Sequence, residues 1–117
     1  MMKRVLQYAA IVCVCAGLSE AADPGKDLFE RRCGGCHTAT KDKVGPRLAG
    51  VLGRPAASVP SFPYSEALRQ SHVVWNEATL DRWLTDPDAF VPDSNMAFRM
   101  PNTVERKAVI AYLRDLR

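Results

Sequence analysis

Two thiols and an imidazole fall within five residues at Cys33-Gly34-Gly35-Cys36-His37, and this spacing restricts what the chain can be built around more than any other feature. Residues three apart on a helix lie on neighbouring turns of one face, roughly 5–6 Å apart between Cβ atoms. Two sulfurs so placed can reach one edge of a porphyrin and add to its vinyl groups as thioethers. The adjacent histidine then supplies an axial nitrogen to the iron. Gly34 and Gly35 leave the macrocycle room to approach. The motif therefore points to haem c, held through Cys33 and Cys36, with His37 as one metal ligand.

Other uses of a C-x-x-C pair are open: a thioredoxin-like dithiol, half of a zinc site, or a structural disulfide. The first wants a βαβ pattern, which is not found. The second wants about four N/S ligands, and beyond the motif residues 22–117 offer only His72.

Residues 1–21 read as a secretory signal peptide. Lys3 and Arg4 precede an apolar run from Val5 to Leu18, and Ser19-Glu20-Ala21 offers small residues where a signal peptidase reads them. The run is shorter than the roughly 20 residues a membrane span needs, so a cleaved leader is expected rather than a retained anchor. Its removal takes Cys13 and Cys15 with it and leaves two of the four cysteines, both in the motif. Residues 22–117 then form one small domain whose own apolar core is marginal, which a covalently held haem would complete. Removing Lys3, Arg4 and Glu20 leaves a formal charge of about +2, with the basic residues scattered, so no nucleic-acid partner is expected.

Periodicity predicts an all-α fold. Asp23 caps a first helix with Pro24 in its first turn and Leu28, Phe29, Cys33 and Cys36 at helical spacing. Asn102 caps the last helix, with Glu105 placed for a capping box and Val109, Tyr112, Leu113 and Leu116 on one face. Asn76 caps a shorter helix carrying Leu80, Trp83 and Leu84, stopped by Pro87, and a weaker turn runs through Glu66 to Gln70. From Thr38 to Pro63 three glycines and four prolines forbid long regular elements. A loop of that length in a small domain is uncommon unless it wraps something.

An iron with His37 below has a sixth position above. Met96, Met100 and His72 are the candidates. Met96 leads, because Pro92 to Phe98 is a polar, proline-containing segment, a poor place for a core-filling methionine and a good one for a ligand. A thioether there favours ferrous iron.

This order of motifs resembles the class I cytochromes c, both mitochondrial and small bacterial. The resemblance runs from Gly25 to Leu113 through Gly25-x-x-x-Phe29, Cys33 to His37, Gly45-Pro46-x-Leu48-x-Gly50, Gly53-Arg54, Phe62-x-Tyr64, Trp75, Met96-x-Phe98 and Ala111-Tyr112-Leu113. It implies an all-α domain over 22–117, with helices and long irregular loops wrapped around one covalent haem c. It implies that the Pro46 carbonyl accepts a hydrogen bond from His37, and that Tyr64, Trp75 and Arg54 hold one haem propionate with Ser94 near the other. Phe98 would flank the haem beside Met96, and Gly25 and Phe29 would cross Val109 and Tyr112. Trp83 stands where many relatives carry a tyrosine beside the methionine sulfur and Leu68 where many carry an asparagine, so the distal polar network is expected to be reduced.

The expected function is a soluble, exported, periplasmic carrier of single electrons, monomeric and without catalytic residues. It would dock redox partners transiently at the haem edge through Lys41, Lys43, Arg47 and Arg99, with no stable membrane insertion once the leader is cleaved. A peroxidase or gas sensor with a labile sixth ligand, or a fixed subunit of a larger redox enzyme, are the alternatives.

Overall fold

Asp23 begins the first helix as expected. Its carboxylate accepts from the Gly25 and Lys26 amides at 3.0 and 3.2 Å, and Pro24 occupies the first position, where its missing N–H costs nothing. In this computed structural model, which describes residues 9–15, 17 and 22–117, the helix α1 (Pro24–Leu28) gives way to one π turn over Phe29–Cys33. The expected leader over 1–21 falls mostly outside the described residues, as does its cleavage site. Cys13 and Cys15 are exposed on irregular backbone.

Four more helices follow: α2 (Glu66–Gln70), α3 (Glu77–Thr85), α4 (Pro87–Phe90) and α5 (Thr103–Asp115). No strand occurs among the described residues, only an isolated bridge between Pro55 and Val74. The all-α expectation is met, and 38–63 is irregular. Each longer helix opens on a side chain that satisfies an otherwise orphaned amide: Asn76 on Thr79 at 2.9 Å, Asn102 on Glu105 at 3.0 Å. Two details differ from the sequence reading. Pro87 stops α3 but also starts α4, with Asp86 serving as the C-cap of one and the N-cap of the other. The Glu105 carboxylate does not turn back to complete a capping box; it pairs with Arg32 of the π turn at 3.5 Å.

The terminal helices cross where Gly25 is buried. A Cβ there would lie 2.9 Å from Tyr112 Cβ and 3.0 Å from the Ala108 carbonyl carbon, so only glycine lets α1 and α5 approach this closely. Phe29 stacks obliquely on Tyr112, centroids 5.2 Å apart, and Leu28, Val109, Ile110 and Leu113 complete the seam. Against this frame α3 packs its Leu80, Trp83 and Leu84 face, leaving a hollow that the 38–63 and 91–100 segments enclose.

Candidate cofactor site

One wall of the hollow is the motif itself. At the π turn the Gly34 amide reaches back to the Phe29 carbonyl (2.9 Å), widening the helix before the chain folds over. The Cys33 carbonyl then accepts from both Cys36 (3.1 Å) and His37 (2.9 Å) amides, which brings both thiols and the imidazole to the same lining. Burial raises the pKa of the Cys33 thiol, opposed by the Arg32 charge. His37 Nδ1 lies 2.8 Å from the Pro46 carbonyl oxygen. A carbonyl can only accept, so the proton sits on Nδ1 and Nε2 keeps its lone pair. Burial lowers the His37 pKa, only partly offset by that bond, and so favours the neutral ring a metal needs. Gly45 lies against the imidazole. A Cβ there would stand 2.7 Å from both ring nitrogens.

A second wall carries Leu80, Trp83 and Leu84 from α3, and Ser94, Met96 and Phe98 from the segment after α4. Asp93 and Asn95 on either side of buried Ser94 adopt left-handed backbone, φ 65° and 70°, which bends the segment over the hollow. Met96 is half-buried in the lining. Met100 is fully buried in the core and absent from the lining, and His72 is exposed and likewise absent from it. Trp75 and Trp83 face each other, centroids 5.3 Å apart at 59°. Leu68 is buried in the same lining, giving this side the apolar character expected from the sequence.

A polar corner joins the two walls. Tyr64 Oη accepts from the Val59 amide at 3.2 Å, which leaves its own proton free to donate. Arg54 donates to the carbonyls of Ala49 (3.3 Å) and Arg47 (3.0 Å), and burial lowers its pKa. Asp42 closes the corner: it accepts from Ser61 Oγ at 2.5 Å and from the Arg47 amide at 3.0 Å, contacts that hold its carboxyl below the ordinary value.

The hollow measures about 740 Å³ and is lined mostly by apolar side chains. A concave, mostly apolar hollow of this size, open to solvent at its mouth, has the form of a ligand site. Its donors fit a haem: two thiols, an imidazole nitrogen and a thioether all belong to the lining. The half-buried Arg54 and the free Tyr64 hydroxyl proton call for an anionic edge such as carboxylates.

All eleven expected site residues, Cys33, Cys36, His37, Pro46, Arg54, Tyr64, Trp75, Trp83, Ser94, Met96 and Phe98, line this one hollow. Sequence reasoning missed three groups. Arg32 bridges the walls, pairing with Glu105 and lying 5.3 Å over the Phe98 ring. Asp42 and Ser61 tie together two segments 19 residues apart. Arg106 is a charged residue only 7% exposed. The signal for Arg106 was available, because it stands on the same α5 face as Val109, Ile110 and Leu113. The four suggested docking cations differ from one another. Arg47 and Arg99 face Asp42 (3.8 Å) and Asp86 (3.3 Å), Lys43 donates to the Gly34 carbonyl (3.2 Å), and Lys41 makes no ion pair among the described residues.

A helical frame wrapped around a covalent haem pocket is the architecture of a c-type cytochrome. The Cytochrome c family model matches residues 22–117, and the chain belongs to that family. It is 40% identical over 95 residues to a cytochrome c of Gibberella zeae, covering 78% of this chain and 90% of that protein. It is 36% identical to cytochrome c2 of Rhodopseudomonas palustris over 113 residues, 82% and 98% of the two chains. Among solved structures, cytochrome cH from Methylobacterium extorquens superposes with a TM-score of 0.74 at 35% identity, covering 78% of this chain and 94% of that one. The chain accordingly holds one covalently attached haem c and is an electron-transfer protein rather than an enzyme.

Proposed function

We propose that this chain carries single electrons between proteins outside the cytoplasm, with His37 Nε2 and Met96 Sδ as the two axial ligands of its haem. The observation that supports this reading is that one hollow is shared by both groups: His37 is held by Pro46 in the tautomer whose lone pair is on Nε2, and of the three sixth-ligand candidates only Met96 belongs to the lining. The haem, when attached through Cys33 and Cys36, supplies the one-electron chemistry of its iron.

The residues do the rest. Pro46 orients the imidazole and makes it more electron-rich. Tyr64, Trp75 and Arg54 offer donors to one anionic edge, and Ser94 to another. Leu68, Trp83 and Leu84 keep the distal side apolar, so little solvent must reorganise when the charge changes. With both axial positions supplied by the protein, small oxidants find no coordination site. Redox partners dock transiently at the edge marked by exposed Cys36, beside Lys41 and Lys43; Arg47 and Arg99 also flank it but are largely neutralised by their acidic neighbours. A leader over 1–21 and export to a periplasm are supported by the basic and apolar pattern of that segment and by a family match that begins at residue 22.

Optical and magnetic spectra of the wild type beside Met96→Ala test the ligand assignment. The methionine–iron charge-transfer band of the ferric protein is expected in the wild type and lost in the variant. Its persistence in Met96→Ala would remove Met96 from the site.

A further inference from the structure

Arg106 is a buried guanidinium with every nitrogen engaged. Its Nε donates to Asp81 Oδ1 at 2.8 Å, Nη1 to the carbonyls of Met100 (3.1 Å) and Pro101 (2.8 Å), and Nη2 to Thr103 Oγ1 at 3.3 Å. Asp81 belongs to α3, Thr103 and Arg106 to α5, and Met100 and Pro101 are the exit of the segment that carries Met96. One cation therefore fastens three parts of the molecule at one point.

An arginine serving only to join two helices needs no more than Asp81. The two consecutive carbonyls are different, because they fix backbone. The Met100 peptide is held from both sides, its amide donating to the Leu84 carbonyl of α3 at 2.7 Å while its carbonyl accepts from Arg106 on α5. The Met100 side chain is fully buried as well. Met96 lies four positions before this anchor, a reach of at most about 13–14 Å in extended chain. Upstream, the segment has less to hold it. Asp93 and Asn95 are left-handed, a conformation that Asp and Asn adopt more readily than other side-chain-bearing residues and that by itself fixes nothing in place. Beside buried Ser94, the contact there is one exposed bond from the Asp93 amide to Asp88 at 3.2 Å.

We propose that Arg106, seated on Asp81, is a positioning residue for Met96: by pinning the Met100–Pro101 backbone it keeps the thioether over the sixth position and sets how readily another ligand displaces it. This rests on the reading of Met96 as axial ligand. Lysine at position 106 keeps the charge but cannot hold an aspartate and two carbonyls in one plane.

The test uses the assembled holoprotein and added imidazole as the competing ligand. In Arg106→Lys the ferric protein is expected to bind imidazole about tenfold faster, equivalent to about 1.4 kcal/mol of barrier. It is also expected to lose its methionine–iron band at lower pH than the wild type. Ile110→Ala is the comparison, since Ile110 is buried on the same helix but does not line the hollow. It should lose global stability while its imidazole rate stays within about twofold of wild type, because Ile110 does not line the hollow and makes none of the hydrogen bonds to the Met100–Pro101 backbone. Arg106→Lys binding imidazole no faster than Ile110→Ala at matched unfolding midpoints would overturn the proposal. If Arg106→Lys fails to assemble, Asp81→Asn decides: a rate between wild type and tenfold supports the clamp, and a wild-type rate overturns it. Failure of the ligand reading looks different, since the wild type itself would then lack the band or Met96→Ala would keep it.

Discussion

The two walls of the haem hollow are built to different standards of fixation. On the histidine side, the proposed ligand His37 sits next in sequence to Cys36, its ring lies against Gly45 and its Nδ1 is bonded to Pro46, so three separate constraints converge on one imidazole. On the methionine side the proposed ligand hangs from a segment with two left-handed residues. Its orientation, as proposed, is set from a distance, at Met100. The proximal wall is thus determined locally and the distal wall globally. Changes to the first should be felt as failure to assemble or loss of stability. Changes to the second should be felt as altered lability in a protein that still folds.

The largest effect expected from this contrast follows from removing the covalent anchor. Cys33→Ser with Cys36→Ser leaves an apolar hollow of about 740 Å³ without its tethered occupant, and a small domain deprived of that part of its core has little stability left. Whole-protein mass should show no haem adduct, and far-ultraviolet circular dichroism should show no cooperative unfolding transition. Met96→Ala, by contrast, should still carry the adduct and unfold cooperatively. A double serine variant that unfolds as sharply as Met96→Ala would end the distinction between the walls.

A smaller proximal change sharpens it. Gly45→Ala places a methyl group 2.7 Å from the His37 ring nitrogens, an overpacking that typically costs about 1–3 kcal/mol. For a domain of this size each kcal/mol lowers the thermal midpoint by about 4–8 °C. The methionine–iron band should survive, since nothing on the distal wall moves. Loss of the band with an unchanged midpoint would mean that the walls are coupled through the ring.

The same contrast explains what could be read from the sequence. The proximal wall is nearly contiguous in the chain, Cys33 to Pro46, so its motif, its glycine and its proline are all visible as a string. Helix starts were legible for the same reason: Asp23, Asn76 and Asn102 act on amides two or three residues away. The π turn was not, because its cause is a shift in hydrogen-bond register that no residue type marks. Arg32, Asp42 with Ser61, and Arg106 escaped because each joins segments far apart in sequence, Arg106 reaching 25 residues to Asp81. A charged residue on an apolar helical face hints at such a partner without naming it.

The latch between Asp42 and Ser61 gives a pH-dependent test on the proximal side. The Asp42 carboxyl is held below its ordinary value of 3.8, first by the Ser61 hydroxyl and then by the Arg47 amide. A carboxyl depressed by folding adds stability above its unfolded pKa and loses that contribution as pH falls through its folded pKa. Thermal midpoints of wild type and Asp42→Asn should therefore differ most near neutral pH and converge between about pH 5 and pH 2. The gap should be small, because the group is partly open to solvent and screened. A constant gap across that range would show that the ionised carboxylate is not what holds the segments.

The smallest expected effect concerns the charges at the mouth, and it asks on which wall electrons enter. Lys43 lies on the proximal side, bonded to the Gly34 carbonyl inside the motif, whereas Arg99 lies on the distal side with Asp86 at 3.3 Å. Both reversals change the charge by two units, so the larger effect falls on the residue nearer the entry edge, and Lys43 bonds within the motif that carries exposed Cys36. Ferrocyanide, a small anionic donor, is attracted by whatever positive potential surrounds the entry edge. Lys43→Glu should therefore slow its reduction of the ferric protein by about two- to fivefold at low salt, and Arg99→Glu by less. Both effects should fade toward physiological ionic strength, where the screening length falls to about 8 Å. Equal slowing by both variants would place the entry edge between the walls, and a larger effect of Arg99→Glu would move it to the methionine side, against the docking edge proposed at exposed Cys36.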